Sequence, residues 1–190
     1  MVQRTVIAAL IWVGALAFGA VSVAGAKEMT PIDIPMIGDI EMLKAGDVAP
    51  DFSLTDLEGN SYTLSENLSG KVHLLVFWSI FCEPCKAEMP LIQRLYEEYK
   101  DKGLVVVAIA MDGAPMAKSI QGLANQQGYT FRVFIDQLAA DESFVAADPF
   151  GVAGTPTLYL VNSQGKITFA EVGRTSKETL EGVVRQALPK

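Results

Sequence analysis

An α/β domain built on a mixed sheet is predicted for residues 46–190, and three features of the sequence carry the prediction. Two nearly unbroken apolar runs, at 71–78 and 104–111, have the character of strands covered on both faces, and each is followed by helical spacing. A shorter run at 131–135 continues the alternation, which implies right-handed crossovers between parallel strands. Paired strand-like segments at 52–64 and 158–172 read as antiparallel hairpins at the two ends of this unit. With 190 residues, half of them hydrophobic and 19% charged, the chain can bury one core. It carries neither internal repeats nor low-complexity tracts.

In order along the chain, Phe52-Ser53-Leu54-Thr55 and Ser61-Tyr62-Thr63-Leu64 alternate as strands, with Glu58-Gly59-Asn60 as the turn between them. Residues 65–70 form a short helical turn into the first central strand at 71–78. His73, near the start of that strand, is expected close to solvent. A strand rises about 3.3 Å per residue, which puts this histidine out of reach of the cysteines. A helix follows from Cys82. Pro90 lacks an amide hydrogen and is expected to kink it near residues 87–89, before Leu91, Ile92, Leu95, Tyr96 and Tyr99 resume the helical period up to Gly103. Residues 104–111 make the second buried strand, 112–115 a turn, and 116–127 a helix ended by Gly128. The third parallel strand at 131–135 is followed by an expected short helix at 139–147. After a turn-rich approach at 151–157, the hairpin 158–172 turns at 162–165. Ser176, with Thr179 and Glu181, then opens a last helix that stops before Pro189.

The N-terminus is an address. Residues 6–26 carry no charge, follow Arg4 and end in Ala24-Gly25-Ala26, a pattern that fits a secretory signal. The run is also long enough to span a bilayer if it is not cut, so residues 1–26 are either a signal peptide or an uncleaved anchor. Residues 27–45, with Pro31 and Pro35, read as a tether. The domain is thus expected outside the cytoplasm, in the periplasm or on the outer face of a membrane, soluble if the signal is removed. The chain has 22 acidic and 15 basic residues, a net charge of −7 that becomes −8 once Arg4 leaves. Such an acidic surface disfavours nucleic acid and anionic lipid as partners, and a monomer is expected.

Both cysteines lie at the junction of the first central strand and its helix, in Val76-Phe77-Trp78-Ser79-Ile80-Phe81-Cys82-Glu83-Pro84-Cys85. A bridge closing so short a loop removes little entropy from the unfolded chain, so a purely structural role is a poor account of it. A thiol at a helix start meets unpaired amides and the positive end of the helix dipole, which stabilises its thiolate. Cys82 gains most and is the expected nucleophile. Cys85, one turn further on, is the resolving thiol. Glu83 opposes the dipole by disfavouring negative charge on sulfur. It and Pro84, both between the cysteines, are the expected redox-tuning residues, and Glu83 makes the pair less oxidising.

With Phe77-Trp78 ahead of Cys82-Glu83-Pro84-Cys85, Gly154-Thr155-Pro156-Thr157 ahead of the late hairpin, and Ala49-Pro50-Asp51-Phe52 at the start, the chain resembles the exported TlpA/ResA-like thioredoxin-fold reductases. The resemblance implies a thioredoxin-like fold, a central mixed β-sheet flanked by helices, with an N-terminal β-hairpin and an inserted strand-helix unit before Phe131. It implies a cis peptide before Pro156, with Thr155 and Pro156 lying against the cysteine pair and meeting an extended substrate; Trp78 and Phe81 are expected to shield the disulfide and to join them as substrate-binding residues. At Val76 the cytoplasmic thioredoxins carry a buried aspartate that handles the proton of the resolving thiol, which valine cannot do. Glu88, three residues after Cys85, matches the pattern Cys-Glu-Pro-Cys-x-x-Glu and is the implied substitute. The resemblance also implies disulfide-containing exported proteins as clients, cytochrome c precursors among them, and a membrane electron-donor reductase upstream. No cofactor or metal is called for. A peroxiredoxin reading lacks its proline, since Leu75 stands seven residues before Cys82. A thiol oxidant or a soft-metal carrier using the same cysteines is the alternative, although two cysteines and a distant His73 do not make a four-ligand zinc shell.

Overall fold

A computed structural model describes residues 41–189 of the chain; the leader 1–26 and residues 27–40 of the tether lie outside the described residues. Strands β1 (Ser53–Thr55) and β2 (Ser61–Thr63) form an antiparallel hairpin, and α1 (Leu64–Asn67) leads into β3 (Val72–Trp78). Helix α2 (Glu83–Tyr99) crosses to β4 (Leu104–Ala110), and α3 (Ala117–Gln127) crosses to β5 (Arg132–Ile135). The chain closes with β6 (Thr157–Val161), β7 (Ile167–Val172) and α4 (Lys177–Ala187). The five-stranded sheet has the order β5-β4-β3-β6-β7, with β3, β4 and β5 parallel and β6 and β7 antiparallel to their neighbours.

Alternation along the strands sorts side chains to two faces. On one face Val72, Leu74, Val76 and Trp78 of β3 meet Met89 and Ile92 of α2, Ile120 of α3, and Leu180 and Val184 of α4. On the other, Leu75 and Phe77 meet Leu54 and Tyr62 of the hairpin, Phe134, and Phe150 of the segment before β6. Burying each such large apolar side chain contributes on the order of 2 kcal/mol, and strands covered on both faces account for the unbroken apolar runs. The hairpin is fastened to the sheet edge by Arg132, whose guanidinium bonds the buried Asp56 carboxylate at 2.8 Å and lies over the Tyr62 and Phe134 rings.

Three expectations change. His73 is fully buried, on the hairpin side of β3, with neither ring nitrogen hydrogen-bonded. Its neighbours are Tyr62, 6.3 Å away ring to ring, and the strands on either side; β3 simply begins beneath the hairpin instead of at an open edge. No helix forms at 139–147. Asp136 accepts the amides of Ala146 and Ala147, Asp148 accepts that of Phe144, Asp141 bonds Ser143, and Glu142 has φ +67°, so side chains capture the amides that a helix would need. Helix α2 is continuous from Glu83 to Tyr99 with Pro90 inside it and exposed. Met42 and Leu43, expected in the tether, pack on the hairpin-side core, where Gly151 at φ +67° admits the backbone of Glu41; a Cβ there would lie 2.2 Å from the Glu41 carbonyl oxygen.

Candidate active site

The pair stands where β3 ends. Cys82 is the N-cap of α2, and its sulfur accepts the Cys85 amide at 3.2 Å. Pro84 sits in the first turn, where a missing amide hydrogen costs nothing. Cys82 and Cys85 are joined in a disulfide with Cα atoms 5.3 Å apart. Exposure separates them: Cys82 is partly exposed, whereas Cys85 is 1% exposed and packed with Trp78 and Met89. An accessible sulfur facing a helix amide, backed by a buried partner one turn on, can perform thiol–disulfide exchange in two ordered steps.

The loop before Cys82 is held by Asp112, a residue that the sequence presents only as part of a turn. Its carboxylate accepts the Ser79 hydroxyl at 2.6 Å and the Ile80 amide at 3.2 Å, while Ser79 Oγ accepts the Phe81 amide at 3.1 Å. The Met111 amide donates to the Trp78 carbonyl at 2.9 Å, so the exits of β3 and β4 are tied together beneath the disulfide. Only an aspartate so soon after an apolar strand could have drawn attention to this position.

From the other side come Thr155 and Pro156, joined by a cis peptide bond, with the Thr155 carbonyl oxygen 3.5 Å from Cys82 Sγ. Pro156 is buried and Thr155 partly exposed. The Pro156 carbonyl accepts the Gly173 amide at 2.8 Å, which links this turn to the segment between β7 and α4. That segment also reaches Glu88. The Thr175 amide donates to Glu88 Oε1 at 2.7 Å, while Oε2 is buried without a partner. Glu88 is 2% exposed and shares a helical face with Cys85. Burial raises its pKa, opposed by the Thr175 hydrogen bond and the charge of Arg174.

Two further expectations need adjustment. Trp78 is fully buried and backs the cysteines from inside the core, so it is not a surface for substrate. Phe81, the residue before Cys82, is 72% exposed. Glu83 is exposed and ion-paired to Lys86 at 2.5 Å, which offsets part of the field it would impose on the sulfurs. Among the described residues, no group of three or more His, Cys, Asp or Glu is gathered as a metal site.

Residues 44–187 match the Redoxin family model. The chain is 36% identical over 151 residues to the thiol-disulfide oxidoreductase ResA of Bacillus thuringiensis (strain Al Hakam), covering 80% of this chain and 83% of that protein. It is likewise 36% identical over 140 residues to the thioredoxin-like protein YneN of Bacillus subtilis (strain 168), covering 73% and 78%. The crystal structure of the thioredoxin domain of a thiol-disulfide oxidoreductase from Bacteroides vulgatus superposes with a TM-score of 0.66 at 26% identity, covering 77% of this chain and 99% of that one. An accessible sulfur on a helix cap, a buried partner sulfur and relatives that share the whole domain lead to one assignment: the chain belongs to the Redoxin family and is a ResA-like thiol-disulfide oxidoreductase with a thioredoxin-like fold.

Proposed function

We propose that the protein works outside the cytoplasm as a reductant of disulfides in exported proteins, cytochrome c precursors among them, and is itself re-reduced by a membrane electron donor. The leader pattern of residues 1–26 supports the compartment. Among the described residues no helix is long and apolar enough to cross a membrane. The cycle rests on the difference in exposure between the two sulfurs. Cys82 thiolate attacks one sulfur of the client disulfide, forming a mixed disulfide and releasing the other client sulfur as thiolate. Cys85 then attacks Cys82 Sγ, closing the Cys82–Cys85 bond and releasing the second client thiol. Two electrons pass to the client.

In this cycle Glu88 takes the proton of Cys85 as it becomes the attacking thiolate. Burial raises the proton affinity of its carboxylate against the opposing Thr175 hydrogen bond, and that bond occupies Oε1 while Oε2 stays free. Thr155 and Pro156 present backbone to the extended client beside Cys82, Phe81 offers an exposed ring to it, and Glu83 and Pro84 tune the pair. Glu88→Gln keeps the acceptor for Thr175 and removes the titration. It is expected to slow resolution about 10²-fold at neutral pH, at the low end of general acid–base contributions. Stopped-flow thiol exchange across pH would show the loss of one ionisation from the rate profile; an unchanged profile and rate would remove Glu88 from the mechanism.

Direction is tested by the reduction potential of the Cys82–Cys85 couple, measured against glutathione or dithiothreitol buffers. The reductant reading expects a value near the thioredoxin figure of about −270 mV, and a value near about −120 mV would make the protein an oxidant.

A further inference from the structure

The parallel strands release three loops on the edge that carries the disulfide. The loop after β3 bears Cys82; those after β4 and β5 line a cavity of about 430 Å³ with Met111, Ala114, Pro115, Leu138 and Phe144, together with Asp112 and Asp136. It opens beyond the carboxyl ends of the parallel strands β4 and β5 and has the size of a site for a side chain or small molecule.

Its two carboxylates are already committed. Asp112 accepts from Ser79 and Ile80, and Asp136 accepts from Gln137, Ala146 and Ala147. The same bonds hold the cavity open, because Asp136 pins the segment that supplies Leu138 and Phe144 while Asp112 ties the opposite wall to the cysteine loop. What remains exposed to an occupant is mostly apolar carbon, including Leu138 at 60% exposure, beside the Gln137 side chain. Phe81, 72% exposed, stands on the same edge next to Cys82. The charged groups that line the cavity, Asp112 and Asp136, are both acidic, so an anionic occupant is disfavoured.

Resting on the oxidoreductase reading above, we propose that this cavity is a specificity subsite that receives an apolar side chain of the client polypeptide lying two to four residues from the cysteine under attack. Reach sets the register. Asp112, a wall of the cavity, bonds the amide of Ile80, two residues before Cys82. An extended client advances about 3.3 Å per residue, so a side chain two to four residues from the attacked cysteine lies about 7–13 Å along this edge. A client peptide is favoured over a free small molecule because the disulfide and the exposed Phe81 and Leu138 lie along one edge, which a single extended chain can cover.

The test uses the full chain, reduced by dithiothreitol, and three disulfides. Two are glutathione mixed disulfides of one cysteine peptide, carrying either leucine or aspartate two to four residues to each side of the cysteine; the third is bis(2-hydroxyethyl) disulfide. The leucine peptide is expected to have a kcat/KM at least about tenfold higher than the aspartate peptide. Leu138→Asp, at an exposed position, and Ala114→Glu, on the wall supplied by the β4 exit, are each expected to raise KM for the leucine peptide about tenfold. Both should leave kcat and the rate with bis(2-hydroxyethyl) disulfide unchanged. Equal rates for the two peptides, or a preference that survives both substitutions, would overturn the subsite and leave the cavity to another part of the chain or to a second copy. Inactivity toward the small disulfide would instead overturn the oxidoreductase reading, and the subsite with it.

Discussion

Replacing Cys85 by alanine is expected to bring turnover to background while converting the protein into a trap that accumulates a covalent adduct through Cys82. The expectation follows from the unequal placing of the two sulfurs. Cys82 is reachable from solvent, and its sulfur faces the first-turn amide of α2, so a thiolate there is stabilised and can attack without help from Cys85. Cys85 is buried behind it, where a client disulfide cannot approach but Cys82 Sγ can be reached. Without Cys85 the mixed disulfide has no intramolecular exit, and adduct should approach one client per chain. The reciprocal change, Cys82→Ala, should abolish turnover and adduct together. Non-reducing electrophoresis with mass mapping of the linked peptide distinguishes the two, and an adduct carried by Cys85 in the Cys82→Ala protein would reverse the assignment of roles.

Acid sensitivity traceable to one residue is the second large effect. Burial beneath the hairpin, with a smaller contribution from the charge of Lys71, lowers the His73 pKa to about 4 from its ordinary value near 6.5. The folded state therefore binds fewer protons at this site than the unfolded chain does. The associated stability is fully present above about pH 6.5, declines as pH falls, and is lost below about pH 4. A shift of this size corresponds to about 3 kcal/mol. Glu88 and Asp136 act in the opposite sense, because burial raises both carboxyls and their protonation favours the folded state as the solution is acidified. Urea unfolding of the protein and of His73→Leu at pH 7 and pH 4.5 separates the contributions. The variant should lose most of the decline between these values. It should also be more stable than the parent at pH 7, since an imidazole buried with both nitrogens unpaired costs about 1–3 kcal/mol. A decline of the same size in the variant would show that other groups carry the acid response.

The proposed subsite at the β4 and β5 exits shares one residue with the support of the cysteine loop. Asp112 serves both features: one carboxylate braces the loop that delivers Cys82 and forms a wall of the cavity, so client side chain and reactive sulfur are registered against a common support.

Much of this molecule is legible in its sequence because much of it is local. The apolar runs of β3 and β4, the stop signals at Gly103 and Gly128, the Ser176 cap of α4 and the late hairpin all depend on residues within a few positions of one another. The Cys82-Glu83-Pro84-Cys85 spacing likewise dictates by itself a sulfur on a helix cap with a second sulfur one turn along. Only the tertiary structure could decide the remainder. Whether His73 met solvent depended on a hairpin ten residues earlier folding over it. Whether 139–147 became a helix depended on Asp136 and Asp148 reaching its amides first. The surroundings of Glu88 depended on Thr175, 87 residues away, and the brace on the cysteine loop on Asp112, 33 residues beyond Ser79. Periodicity records which face of an element is apolar. Which carboxylate arrives at which amide is set by how the elements pack, and that is where the chemistry of this site is decided.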